Sequence, residues 1–230
     1  NTWLAAQVPV LLNSGPRIAL QQRFWFNPEL DSRSVLVPGA IALVMTIIGT
    51  LLTAMVIARE WERGTMEALM STPAGKGEII LSKLIPYFVL GMMAILSCTL
   101  LAVEFFGVPL RGSLAALLLV SAVFLLPALG LGLLISVVSA SQFQAASRGL
   151  LLGFMPTLLL SGFVYEIQSM PVAIQWVTHI VPARYFVASL QSIFLAGDVW
   201  SDLIPNILAM LALGIVFFGV TFIKTREGLE

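Results

Sequence analysis

The stretch Arg59-Glu60-Trp61-Glu62-Arg63-Gly64-Thr65-Met66-Glu67-Ala68-Leu69-Met70-Ser71-Thr72-Pro73 lies between two long apolar runs. Five of the nine residues from Arg59 to Glu67 are charged, in a chain where charged residues make up 10%. Upstream, Val35–Ala58 is 24 residues without a charge; downstream, Leu84–Val103 is 20, bracketed by Lys83 and Glu104. About 20 apolar residues of helix cross the roughly 30 Å hydrocarbon core of a bilayer. The charged stretch therefore joins two membrane spans and presents its charge to a partner in water.

The rest of the chain agrees with a bilayer as solvent. Its 230 residues are 59% apolar, and the mean hydropathy is strongly positive. A soluble domain carries about 25% charge. Twelve basic and twelve acidic residues leave no net charge and no nucleic-acid footprint. The single cysteine, Cys98, cannot form an internal disulfide. Three more apolar runs follow: Leu114–Val138 (25 residues, Pro127 inside), Gly149–Val164 (16) and Leu203–Ile223 (21). The expected architecture is an all-α integral membrane protein with five spans in this chain.

Orientation follows the lysines and arginines. Segments 59–83, 139–149 and 224–230 hold seven of them, and loops 104–113 and 165–202 hold two, Arg111 and Arg184. The first side, with the carboxyl end, is expected in the cytoplasm. Residues 1–34 then start outside, with neither a signal peptide nor a span of their own. The simplest expectation is the carboxyl part of a longer polypeptide whose earlier span makes six.

The charged stretch reads as an elbow. Arg59 with Glu62 and Arg63 with Glu67 are spaced to pair on a helix face, each pair worth a few tenths of a kcal/mol. Gly64 suits a helix stop. Thr65 suits the cap of a short new helix, with Glu67 near its positive end. Met66, Leu69 and Met70 give that helix an apolar side, and Thr72-Pro73 caps and restarts the chain. The plain alternative is a solvated loop with incidental pairing.

The elbow also resembles a family pattern. Phe26-Asn27-Pro28-Glu29-Leu30, Val37-Pro38-Gly39, Arg59-Glu60 through Gly64-Thr65-Met66-Glu67, Ser71-Thr72-Pro73 and Lys83-Leu84-Ile85-Pro86-Tyr87 are similar to the permease subunits of type-2 ATP-binding cassette exporters, bacterial inner-membrane group. The resemblance extends over nearly the whole chain, and the Arg-Glu…Gly-Thr…Glu…Thr-Pro spacing is its most specific part. It implies that residues 59–73 are a coupling helix that docks on a cytoplasmic ATPase. Arg59, Glu60, Glu62, Arg63 and Glu67 would supply polar contacts there, with Met66, Leu69 and Met70 filling a groove. Gly64, Thr65, Thr72 and Pro73 would shape the corners. It also implies that residues 1–34 end an extracytoplasmic domain, that a second permease subunit completes a dimer, and that ATP and Mg reside on the partner ATPase, leaving no cofactor in this chain.

Two further regions draw attention. Gly149, Gly153, Thr157 and Ser161 recur every four residues along the fourth span, and Ala128, Gly132 and Ser136 do so along the third. Small residues at this spacing let helices approach closely, either inside one bundle or, as the resemblance implies for the fourth span, at a subunit interface beside the pathway. After Ser161-Gly162-Phe163-Val164-Tyr165-Glu166, a short helical pattern starts at Pro171 and ends at Pro182, with Ala173, Trp176, Val177, Ile180 and Val181 on one face. Residues 165–200 are expected to dip into the membrane or lie on its outer surface. Gly162, Phe163, Tyr165, Glu166, Pro171 and Trp176 are candidate outer-gate residues by the same resemblance. The aromatics Tyr165, Trp176, Tyr185, Phe186 and Trp200 read as an interfacial belt.

Several chemistries have no motif here. There is no GxxxxGK[ST] phosphate loop, HExxH pair or GxSxG elbow. His179 has no second histidine or cysteine nearby to share a metal. The expected function is the pathway-forming subunit of an ATP-driven exporter of drugs, lipids or other amphipathic substrates in the bacterial inner membrane. A scaffold recruiting a cytoplasmic partner is one alternative; an intramembrane hydrolase built on Ser161 and His179 is another.

Overall fold

A backbone in hydrocarbon must satisfy its own hydrogen bonds, so each long apolar run closes into helix. In the computed structural model, which describes residues 32–65 and 76–227, all regular secondary structure of those residues is helical. Helix α1 is Ser32–Glu62, α2 is Lys76–Glu104 and α3 is Leu114–Val138. α4, Gln142–Gly149, passes through a π-helical turn, Leu150–Phe154, into α5, Met155–Leu160. The short α6 (Val172–Thr178) and α7 (Pro182–Gln191) precede the last long helix, α8, Trp200–Glu227. Five segments are long and apolar enough to cross a membrane: α1, α2, α3, α4 through α5, and α8.

The fourth of these differs from the apolar count. Helix begins at Gln142, where Ser141 accepts a hydrogen bond from the Gln144 N–H (3.3 Å), and stops at Leu160. The charge of Arg148 hides this start from a hydropathy count, because its side chain is used at the helix end (below). The π turn falls just before Pro156, whose ring removes a backbone donor; one wider turn accommodates it.

α1 and α3 are the centre. Their apolar windows are 56% and 61% buried, against 17–22% for the other three spans. They meet through small residues. A Cβ on Gly132 would lie 1.8 Å from Thr53 Oγ1, and one on Gly49 would lie 2.8 Å from the Ala128 methyl. Only glycine permits this approach. The hydroxyls along α1 stay satisfied within their own helix: Thr46 bonds to Ala42 O (2.8 Å) and Thr50 to Thr46 O (2.6 Å).

At the other end of α3 the short helix α7 inserts. Phe186 is fully buried and stacks on Phe124, ring centroids 4.0 Å apart. Phe124 lies about 15 Å along α3 from its first residue at 1.5 Å per residue, so α7 reaches well into the bundle. Phe186 is therefore core rather than interfacial belt. Pro182 opens α7 instead of closing the helix before it, since a first-turn proline lacks only an N–H that would go unbonded. α6 and the turn after it stay outside, with Val172, Trp176 and Ile180 each more than 60% exposed.

Candidate functional site

The described part of the elbow, Arg59–Thr65, leaves α1 through a turn at Gly64, whose φ of +68° suits a residue without a Cβ. Met66, Glu67, Leu69, Met70, Thr72 and Pro73 lie outside the described residues. Glu60 receives the Lys83 ammonium of α2 at 2.7 Å and also a hydrogen bond from the Thr65 hydroxyl. The expected pairing of Arg59 with Glu62 does not form. Glu62 instead accepts the Gln142 backbone N–H at 3.0 Å, capping the first turn of α4, while Arg59 Nε reaches the Gln142 side-chain oxygen at 3.4 Å. A free N–H at a helix start is a stronger partner for a carboxylate than an exposed side chain on its own helix. Arg63 stands exposed at the turn.

Three more bonds close a ring. Ser136 Oγ of α3 accepts the backbone N–H groups of Ile57 (2.9 Å) and Ala58 (3.0 Å) in α1. Arg148 of α4 donates to the Val138 carbonyl at the end of α3 (2.8 Å). Thus α1 is tied to α2, to α4 and to α3, and α4 is tied to α3, all at the elbow end of the bundle. The chemistry of this ring is mechanical: charge-assisted bonds hold four helix ends to one corner.

The small-residue stripe of the fourth span faces α1 of the same chain. A Cβ on Gly153 would come 2.7 Å from Thr50 Oγ1, and one on Gly149 would touch Ala54 and Leu51 at 3.5 Å. Thr157 and Ser161 are buried too. This stripe packs inside the bundle, and the opposite face of the span exposes Leu151, Met155 and Leu159. Beside the stripe lies an apolar cavity of about 310 Å³, bordered by Thr46, Thr50, Phe124, Gly153, Thr157 and Val181.

The candidate gate residues are not brought together. Phe163 packs over Gly39 and borders an apolar groove with Leu36, Cys98 and Phe106. Tyr165 and Trp176 point outward, 59% and 71% exposed. Pro171 caps the exposed α6. Gly162 and Glu166 border a separate polar cavity of about 390 Å³. Ser161 and His179 form no catalytic pair. Ser161 Oγ accepts the Phe163 N–H (3.3 Å), and His179 Nδ1 is held by Gln175 O (2.9 Å) and Arg184 Nη1 (3.1 Å). Sequence reasoning missed Ser136, Gln142 and Arg148 as members of the ring. Ser141-Gln142 after a short polar break is a helix-start signal, but its partner Glu62 is 80 residues away.

Five spans around a glycine- and threonine-packed centre, with a braced charged corner, define a multi-pass helical membrane domain. A family model described as "ABC-2 family transporter protein" matches residues 6–223, and the chain belongs to that family. It is 51% identical over 215 residues to "Probable multidrug ABC transporter permease YbhS" of Escherichia coli K12, covering 94% of this chain and 57% of that protein. It is 33% identical over 187 residues to "Probable multidrug ABC transporter permease YbhR" of the same strain, covering 80% and 50%. "ABC transporter G family member 20" of Dictyostelium discoideum is 27% identical over 74% of this chain and 23% of its own length. The chain spans about half the length of the bacterial relatives it matches.

Proposed function

We propose that this chain is the membrane-spanning permease part of an ATP-driven exporter in the bacterial inner membrane, its carboxyl end in the cytoplasm. Separate ATPase subunits, carrying ATP and Mg, dock on residues 59–73. A second permease copy, or a similar chain, completes the pathway. The relatives named as multidrug permeases favour amphipathic substrates, and the apolar cavity beside Thr50 and Gly153 suits them. The ring of bonds at the elbow supports this reading most directly. A push on the elbow passes to α2 through Glu60–Lys83 and to α4 through Glu62–Gln142. Because α1 packs on the Gly149–Gly153 stripe, tilting α1 against α4 and α5 alters the cavity between them.

The test is crosslinking in membranes that contain the full protein and its ATPase. Glu67→Cys should crosslink to the ATPase in a nucleotide-dependent way. Crosslinks confined to Lys224–Glu230 would overturn the docking assignment. Gly64→Pro should abolish transport while the amount of inserted protein stays unchanged.

A further inference from the structure

The polar cavity at the end of the bundle opposite the elbow has an arrangement that packing does not require. It holds about 390 Å³ between the loop after α5, the length of α7 and the second turn of α8, within the range of small-ligand sites. Glu166 borders it, exposed, with no protein partner for its carboxylate among the described residues. Arg184 borders it as well. Arg184 Nη1 donates to Gln175 O (3.3 Å) and to the Thr178 hydroxyl, and it lies 3.1 Å from His179 Nδ1. These fix the guanidinium and leave Nε and Nη2 without an acceptor among the described residues. Gln168, Gln191 and Asn206 also line the space.

Two opposite charges thus share one concave pocket without pairing with each other. Had the pocket served only to join its walls, a Glu–Arg bridge across it would be the favourable arrangement. Left apart, with neutral polar residues sharing the lining, they match a ligand carrying both signs.

We propose that this pocket binds a zwitterion, an ammonium joined to a phosphate, with the ammonium at Glu166 and the phosphate oxygens at the free donors of Arg184. Two sources share that chemistry: a phosphoethanolamine lipid headgroup reached from the membrane, and a soluble phosphoethanolamine-type molecule. The site is independent of the docking surface at the elbow.

The experiment uses the full protein in nanodiscs of equimolar phosphatidylethanolamine and phosphatidylglycerol, with native mass spectrometry of the retained lipid. A second arm measures thermal stabilisation by soluble O-phosphoethanolamine in phosphatidylglycerol-only nanodiscs. The wild type should retain phosphatidylethanolamine about tenfold over phosphatidylglycerol, the scale of one charge-assisted hydrogen bond. Glu166→Gln removes an exposed charge without a protein partner and should fold normally, yet lose that preference. Arg184→Lys keeps the charge but not the fork and should weaken it. A preference lost in Glu166→Gln identifies the lipid headgroup. Stabilisation by O-phosphoethanolamine that Glu166→Gln abolishes, with no lipid preference, identifies the soluble ligand. Glu166→Gln behaving as wild type in both arms overturns the proposal. So does an equal loss in Glu104→Gln, which is exposed at the same end but does not border the pocket.

Discussion

The charged corner at the elbow and the cavity at the far end use polar side chains in opposite ways. At the elbow end, Glu60, Glu62, Ser136 and Arg148 each reach a different helix, and the Glu62 and Ser136 bonds join residues about 80 apart in sequence. At the far end, Glu166 and Arg184 face the same cavity and do not meet, and the hydrogen bonds of Arg184 stay within its own neighbourhood from Gln175 to His179. Bonds that cross between helices make one end move as a unit. Side chains left open make the other end receptive to something outside the chain. Between the two ends, α1 and α3 touch through glycine, alanine and threonine, a contact with no slack.

The largest effect should come from breaking that middle contact. Gly132→Leu would drive its side chain into Thr53 and the Thr50 carbonyl. Overpacking of this kind costs about 1–3 kcal/mol and sometimes more, and the expected result is loss of folded protein, read as monodisperse yield in detergent. Normal yield would mean that α1 and α3 can separate, and the two ends would then be mechanically independent.

Next is Ser136→Ala. It removes the side-chain acceptor shared by two N–H groups inside α1, whose helical carbonyl partners remain, at about 0.5–1.5 kcal/mol for each net bond lost. Hydrogen exchange at Ile57 and Ala58 should speed up, with the Thr46–Thr50 turns of α1 unaffected. Exchange rising equally along all of α1 would show that the ring does not act locally.

The smallest effects sharpen the contrast directly. Glu62→Ala should cost about 1 kcal/mol, as loss of a helix cap does, and broaden the distance distribution between spin labels on the elbow and α4. Glu166→Gln should shift stability by less than about 0.5 kcal/mol, as surface changes do. Equal losses from both, in thermal unfolding, would erase the distinction between a bracing end and an open one.

Much of the fold is readable in particular residues. Val35–Ala58 and Leu114–Val138 are helix because an uncharged backbone of that length has no other way to bond in a bilayer. Gly64 marks a turn because a left-handed backbone there disfavours a Cβ. The candidate site is less legible. Gly149, Gly153, Thr157 and Ser161 show only that some helix comes close; which one depends on where α1 lies. Phe186 looks like its neighbour Tyr185, and only the insertion of α7 against Phe124 makes it core. Arg59 and Glu62 have the spacing of a pair, but Gln142 offers a helix-start donor that the linear order does not reveal.

The chain by itself determined where helix must form, how many spans it supplies and where charge gathers between them. These follow from local quantities: hydrophobic length, charge and the conformational reach of glycine and proline. Only the tertiary structure decided which helices share the central contact, which charges are spent on bracing and which stay open. The central contact and the Glu62 and Ser136 bonds rest on partners some eighty residues apart, and pairing at that range is set by packing rather than by spacing.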